Sequence, residues 1–282
     1  MILKKNTQEF ENFIKEINQL KEHGLFFTDT HAHIHFDELK SGYFLEDCIT
    51  NSVKRIITVG IDLKDSQNAY EFAIKHKGVY ATCGVHPHDS ENFSVAQIEG
   101  FENLLKSEKV IAVGEIGLDY FRNLSPKDKQ ISTLLTFTDI ALYHKKPIVI
   151  HNRDASKDII NILHNIIKDN FYGGIIHCFS GDKTLLKWAL DRGFYISYAG
   201  PLTYSKADDL RDTVKYVPID RVFIETDCPY LTPIPFRGVK NDPSFVIYTA
   251  YTLSKLTNTK IDILAEKLEN NFKQLFGSLD NF

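Results

Sequence analysis

Two histidines two residues apart, His31 and His33, follow a short apolar run within the motif DTHAH, which begins at Asp29. In an extended strand residues i and i+2 point to the same side, so both imidazoles could reach one metal ion from one strand end. Imidazole is also an ordinary polar side chain, and an isolated pair of this kind is equally compatible with two surface histidines. Residues elsewhere in the chain must decide between the two interpretations.

Further ligand-type side chains occur where other short apolar runs end. They are Glu115 in GEIGLDY, His151 in IHNRDA, His177 in HCFSG and Asp227 in ETDCPYL. Each alone could be a hydrogen-bonded polar group at the end of a strand. If the strands form a parallel barrel, their carboxyl ends share one rim, where active sites are built. Imidazole and carboxylate ligands without thiolate suit divalent Zn, Mn or Mg.

Eight apolar runs separated by helix-length segments predict the elements that would position these residues. The predicted strands are 25–30, 55–59, 79–84, 109–114, 147–151, 173–178, 193–198 and 221–226. Several runs are continuously apolar, which is typical of parallel strands covered on both faces. The alternation predicts an α/β fold, a (β/α)8 TIM barrel. A doubly wound sheet is the alternative, but no GxGxxG turn follows the first strand.

An amphipathic helix is predicted before the first strand. Its apolar positions recur at three-and-four spacing: Phe10, Phe13, Ile14, Ile17 and Leu20. We therefore divide the chain into an N-terminal helical extension, 1–24, and a TIM-barrel domain, 25–282. Packing against the barrel is the expected role of this helix, and binding of a partner is the alternative.

Composition is that of an enzyme-sized globular protein, with 282 residues of which 43% are hydrophobic and 25% charged. The net charge of -4 provides no general attraction to nucleic acid, so a polyanionic substrate must be held by local cations or metals. No signal-peptide pattern or membrane-length apolar run is evident, which leads us to expect a cytoplasmic protein. The four cysteines form no CxxC pair and are expected to be reduced thiols.

The ordered motifs resemble those of a known family. They are DTHAH, GVHPHD, GEIGLDY, IHNRDA, HCFSG and ETDCPYL followed by RGVKNDP, and they run from Asp29 to Pro243. This series resembles the TatD-like metal-dependent deoxyribonucleases, within the amidohydrolase-type barrels. The resemblance implies two divalent metal ions, one bound by His31, His33 and Asp227 and the other by His151 and His177, with Glu115 bridging them. Asp227 would also orient the attacking water and accept its proton.

Other residues of the same motifs are candidates for substrate contacts. His86 and His88 are expected to contact substrate or leaving group, with a structural loop role as the alternative for His88. Arg153 could hold a phosphate, with a salt bridge to Asp154 or Asp119 as the alternative. Arg237 lies in a Pro-rich loop that could cover the rim, and Val239 stands where the family tends to have a second basic residue. Glu225 could bind an additional metal or hold a water beside the centre.

Together these observations predict a divalent-metal hydrolase that cleaves phosphodiester bonds in DNA, because two metal ions can activate water and clamp a phosphate. A rim pocket without a broad basic groove favours short or single-stranded ends. The alternatives are a metal-dependent ester or amide hydrolase, such as an aminoacyl-tRNA deacylase, and a non-catalytic adaptor. An adaptor has no chemical need for all six ligands. No membrane contact is expected, and the sequence leaves the native metal and the oligomeric state open.

Overall fold

The computed structural model describes residues 4–5, 7–39, 41–167 and 171–280. Its eight strands are β1 (Phe27–Ala32), β2 (Val53–Val59), β3 (Val79–Cys83), β4 (Val110–Asp119), β5 (Ile148–Arg153), β6 (Gly174–Ile176), β7 (Tyr195–Tyr198) and β8 (Val222–Ile224). They form one sheet in sequence order, and the pairs from β3 to β7 are parallel. All eight predicted strands are present, and the predicted (β/α)8 fold is confirmed.

Helices alternate with the strands in the same order. They are α1 (Gln8–Glu22), α2 (Leu45–Thr50), α3 (Leu63–Lys75), α4 (Ile98–Leu105), α5 (Lys127–His144), α6 (Ser156–Ile166), α7 (Lys183–Asp191), α8 (Asp208–Val214), α9 (Val246–Thr257) and α10 (Ile261–Phe276). Residues 1–3 and 6 of the predicted extension, and residues 40, 168–170 and 281–282 of the predicted barrel segment, lie outside the described residues. Within the described chain, no helix combines the length and apolar character that a membrane span requires.

The chain divides into two compact units, of which the first comprises Met1–Ile57 and Ser197–Phe282. Its N-terminal helix α1 begins after Thr7, whose hydroxyl accepts the N–H of Phe10 at 3.2 Å. One face of α1 is buried, and the ring of Phe13 lies 4.6 Å from that of Tyr251 in α9. Gly24 has a φ of +67°, where glycine is favoured after a helix. The predicted N-terminal helix is therefore present, and its buried face contacts α9 in the same unit.

Strand β1 in this unit pairs with the segment that follows β8. Ala32 forms a parallel bridge with Cys228, and the N–H of His33 donates to the Cys228 carbonyl at 2.8 Å. The N–H of Asp227 in turn donates to the carbonyl of His31 at 2.9 Å. Residues almost two hundred positions apart are thus held in one backbone ladder.

The second unit is Thr58–Ile196, and its two longest paired strands are β4 and β5. Their pairing continues to Asp119 and Arg153, with a register shift between Val113 and Ile116. The prediction that Glu115 and His151 end their strands is therefore wrong, because each strand runs on past the ligand. Gly117, opposite His151, has a φ of +152°, and a Cβ there would lie 2.0 Å from the His151 carbonyl oxygen. Only glycine allows this close approach of β4 to β5.

Candidate metal centre

Three of the predicted ligands form what we call the first ligand group, His31, His33 and Asp227, all within the first unit. One carboxylate oxygen of Asp227, Oδ1, lies 3.5 Å from Nε2 of His33 and 3.8 Å from Nε2 of His31. Both histidines are buried, whereas the Asp227 side chain is 17% exposed. The potential ligand atoms all lie within 4.8 Å of one another. Two imidazoles and a carboxylate in this arrangement fit a divalent ion with a position left for water.

A fully buried carboxylate, Asp29, holds this group in place. Its Oδ1 accepts the N–H groups of Thr226 at 2.9 Å and His31 at 3.3 Å, and its Oδ2 accepts the Thr226 hydroxyl. Burial raises the pKa of Asp29 well above its usual value, and the nearby Glu225 carboxylate adds to this shift, although the hydrogen bonds oppose it. Asp29 therefore connects β1 to the loop that carries Asp227. The sequence placed Asp29 in the first motif but predicted no role for it.

The loop after β8 gives Asp227 its direction. Asp227 has a φ of +57°, in the left-handed region that aspartate tolerates better than most residues. Its carbonyl accepts the N–H of Tyr230 at 3.0 Å. The buried amide of Asn241, in the motif RGVKNDP, donates to the carbonyl of Thr226 at 3.0 Å and to that of Tyr230. The last two sequence motifs thus form one anchored loop.

In the second unit, Glu115 collects three imidazoles, and we call Glu115, His86, His151 and His177 the second ligand group. Oε1 of Glu115 lies 2.7 Å from Nδ1 of His151 and 2.7 Å from Nε2 of His177. Nε2 of His86 is 3.6 Å from the same oxygen. Burial of the His151 ring opposes protonation, but the Asp119 and Glu115 carboxylates raise its pKa above the usual value. The donor set again fits a divalent ion.

His86 differs from the other imidazoles of its group in its hydrogen bonding. Its Nδ1 accepts the N–H of His88 at 3.1 Å. Burial lowers the pKa of His86 well below its usual value, although the Glu115 carboxylate opposes this shift. A ring nitrogen that accepts a hydrogen bond carries no proton, so the proton of this ring is on Nε2. Nε2 therefore faces Glu115 as a donor rather than as a lone pair, which supports the prediction that His86 contacts substrate and does not bind metal.

Asp119 is fully buried and lies next to His151 of the second ligand group. Its Oδ2 is 2.8 Å from Nε2 of His88 and 3.4 Å from Nε2 of His151, and its Oδ1 accepts the N–H of Arg122 at 2.8 Å. Burial would raise its pKa, but the hydrogen bonds from His151, Arg122 and His88 hold the pKa of Asp119 well below the usual range. The sequence offered Asp119 only as a possible partner of Arg153, so its positioning role was missed.

The remaining predicted residues are placed as follows. Arg153 is exposed, and its guanidinium carbon lies 4.1 Å from the centre of the Phe121 ring. Arg237 is also exposed and lies 4.1 Å from the centre of the Tyr204 ring. Glu225 is fully buried, and its carboxylate contributes to the raised pKa of Asp29. The backbone N–H of Glu225 donates to the Tyr198 carbonyl. The assignments of Arg153, Arg237 and Glu225 stay predictions.

Comparison with known proteins points to one family. The sequence profile described as TatD related DNase matches residues 28–277. The metal-dependent hydrolase YabD of Bacillus subtilis is 37% identical over 250 residues, covering 88% of this chain and 98% of YabD. The 3′-5′ ssDNA/RNA exonuclease TatD of Escherichia fergusonii is 30% identical, covering 82% of this chain and 92% of that protein.

A solved structure agrees with the sequence matches. The crystal structure of YJJV, a TatD homologue from Escherichia coli K12, superposes with a TM-score of 0.83 at 27% identity. The match covers 89% of this chain and 98% of that structure. The family match, over residues 28–277, includes every residue of the two ligand groups.

Proposed function

Because this chain belongs to the family of TatD-related DNases, it is a metal-dependent hydrolase, and we propose that it cleaves nucleotides from single-stranded DNA ends. One observation carries this proposal. The structure contains two groups of imidazole and carboxylate side chains, and the ligand atoms of each group lie close enough together to bind one ion. The relative named as a 3′-5′ ssDNA/RNA exonuclease supports the preference for single-stranded ends. The comparisons do not favour the alternative of an ester or amide hydrolase.

We assign metal binding to the first ligand group and, in the second, to Glu115, His151 and His177. Divalent ions there would activate a water molecule and neutralise the charge that develops on the phosphate. That Glu115 bridges two ions stays a prediction from the resemblance. The native metal among Mg, Mn and Zn is left to experiment, because the donor set suits all three.

Two side chains have positions suited to act on the reacting groups, Asp227 by accepting a proton and His86 by donating a hydrogen bond. Asp227 is partly exposed and held in direction by its backbone contacts, so its carboxylate can accept the proton of the attacking water. The Nε2–H of His86 can donate a hydrogen bond to a phosphate oxygen or to the leaving oxygen. Asp29 and Asp119 position these groups through hydrogen bonds and would not contact the substrate.

The test uses an oligonucleotide labelled at its 5′ end, offered as a single strand and as a blunt duplex. Enzyme treated with EDTA is supplied with Mg, Mn or Zn, and Asp227→Ala serves as the control. We expect stepwise shortening of the single strand that requires an added ion and is lost in the variant. No shortening with any ion, or equal shortening by Asp227→Ala, would overturn the proposal. Turnover of an aminoacyl ester instead would establish the alternative.

A further inference from the structure

The loop after β4 presents an aromatic ring to solvent. The side chain of Phe121 is 63% exposed, although exposure of a large apolar ring is unfavourable in water. Tyr120 and Asp119, which precede it, belong to the predicted motif GEIGLDY, but the sequence assigned no role to Phe121 itself. An exposed aromatic side chain near an active site is a candidate surface for binding substrate.

Hydrogen bonds hold this loop to the second ligand group. Asp119 accepts the N–H of Arg122 with its carboxylate and the N–H of Asn123, at 3.2 Å, with its carbonyl. The other carboxylate oxygen of Asp119 lies 2.8 Å from the His88 ring. The N–H of Tyr120, immediately before Phe121, donates to the Arg153 carbonyl at 2.9 Å. The backbone on both sides of Phe121 is therefore held to Asp119 and Arg153, and through Asp119 to the His88 ring, as the support of a binding surface must be.

A cation lies beside the ring. The Arg153 guanidinium carbon is 4.1 Å from the ring centre, within the range of a cation–π contact. Arg153 follows His151 by two residues in β5, so the two side chains leave the same side of the strand about 7 Å apart. A ring next to an exposed guanidinium offers a stacking face for a base together with a charge for its phosphate.

A second pair of this kind in the first unit provides a comparison. Arg237 lies over Tyr204 at the same distance, but the Tyr204 ring is less exposed than that of Phe121. The larger open face is therefore at Phe121. An apolar protein partner would not need a cation at this point, whereas a nucleotide needs both the face and the charge.

We propose that Phe121 stacks on a base of the single-stranded substrate and so positions the strand whose phosphate is cleaved. This inference rests on the proposed function, because it names a binding residue of that same site. Stacking is indifferent to base identity, so Phe121 would give affinity without sequence specificity. Arg153 would hold the ring from one side and contact the adjacent phosphate.

The test measures stacking directly. A single strand that carries 2-aminopurine near its 3′ end, with phosphorothioate linkages to slow cleavage, is titrated with the full-length enzyme in Mn²⁺. We expect the fluorescence of 2-aminopurine to fall on binding to the parent and to Phe121→Tyr. Phe121→Leu should lose this quenching and bind about tenfold more weakly, which is within the range for one stacked base. Leu124→Ala, which alters another exposed apolar residue of the same loop, should behave like the parent.

An oligonucleotide with one abasic position separates stacking from general binding. The parent should lose about tenfold in affinity when the stacked base is missing, whereas Phe121→Leu should lose almost nothing further. If Phe121→Leu quenches and binds like a parent that cleaves single strands, the stacking inference is overturned and the nuclease proposal stands. If the parent neither binds nor cleaves single strands, both fail together.

Discussion

The first unit contains two buried clusters of polar side chains, one around Arg55 and the other the first ligand group. They differ in whether their side chains form direct hydrogen bonds and ion pairs with one another. Arg55, near the start of β2, is fully buried, and its Nη1 donates to Oε2 of Glu269 at 2.8 Å and to the Thr28 hydroxyl at 3.1 Å. Its Nη2 donates to the Leu279 carbonyl, and its guanidinium lies 4.1 Å from the centre of the Phe272 ring. We call these five residues the Arg55 cluster. Its groups form direct pairs within the protein.

The first ligand group has a different geometry. Its two imidazoles approach one oxygen of Asp227 at 3.5 and 3.8 Å, distances that an ion can span. The two clusters lie towards opposite ends of β1, since Thr28 and His31 are separated by about 10 Å along the strand. In barrels of this kind the amino ends of the strands serve stability and the carboxyl ends serve chemistry. The contrast teaches that burial of charge alone does not mark an active site. The chemistry of the grouped side chains does, because the Arg55 cluster pairs a cation with a carboxylate, whereas the first ligand group brings together three side chains that can each offer a lone pair to an ion.

The largest effect is expected from Asp227→Ala. Removal of a carboxylate that we propose both binds a metal ion and accepts the proton of the attacking water should lower kcat/KM by on the order of 10³-fold or more. The free energy of unfolding should be unchanged or should rise, because groups placed for function are commonly not optimal for stability and the variant removes one of them. Nuclease assays of the variant measure the loss of activity, and urea denaturation of the same preparation measures the free energy of unfolding. A variant that unfolds easily would place the first ligand group among the structural clusters.

Arg55→Met should produce the opposite pattern. Loss of the buried cation removes the main ion pair of Glu269, which keeps the half-exposed Lys273 at 3.3 Å, and should reduce the free energy of unfolding by about 3 kcal/mol. Activity at 25 °C should stay near that of the parent, since no ligand is touched. Glu269→Gln keeps an acceptor for Arg55 and serves as the milder control. A large loss of activity in a stably folded Arg55→Met protein would contradict the comparison.

Addition of a metal ion should stabilise proteins that keep the first ligand group more than a variant that lacks one of its ligands. An ion that binds only the folded protein, supplied at a hundred times its Kd, adds about 2.7 kcal/mol to stability. We expect this increment in the parent and in Arg55→Met, and a smaller one in Asp227→Ala. Thermal unfolding with EDTA and with Mn²⁺ measures it. An equal increment in all three proteins would mean that the ion binds elsewhere.

A smaller effect is expected from Asp29, whose carboxylate accepts the backbone N–H groups of His31 and Thr226 and so supports the first ligand group from β1 and from the loop after β8. Asp29→Ala should reduce activity and Mn²⁺ affinity about 10- to 100-fold, as removal of groups that orient metal ligands does. Asp29→Asn should recover most of this, because its amide oxygen can still accept the Thr226 N–H. Titration of Mn²⁺ against each variant is the measurement. Equal losses in both variants would indicate that the negative charge, and not the hydrogen bonds, is required.

Much of the fold could be predicted because local patterns specify it. The apolar runs gave all eight strands, and the stripe on α1 gave the N-terminal helix. The short helix α2 was not predicted, because its six residues bury only Cys48 and show no helical period. The extension of β4 to Asp119 was also missed, since it depends on pairing with β5 across a register shift.

The sequence predicted the candidate metal ligands but did not predict the residues whose hydrogen bonds position them. His31, His33 and Asp227 carry side chains whose chemistry is visible in the sequence, and the structure brings them together. The roles of Asp29 and Asp119 depend on hydrogen bonds to residues that fold against them, and no local spacing reveals such partners. A fully buried aspartate within a ligand motif is nevertheless a signal, because burial of a carboxylate is costly unless it accepts hydrogen bonds.

Anomalous diffraction from crystals soaked in Mn²⁺ tests the central claim most directly, because it locates each bound ion. The account predicts one ion within coordination distance of His31, His33 and Asp227, and a second within coordination distance of Glu115, His151 and His177. No anomalous peak should appear at the Arg55 cluster. A structure without an ion at the first ligand group, or with a single ion that Glu115 does not contact, would contradict the account.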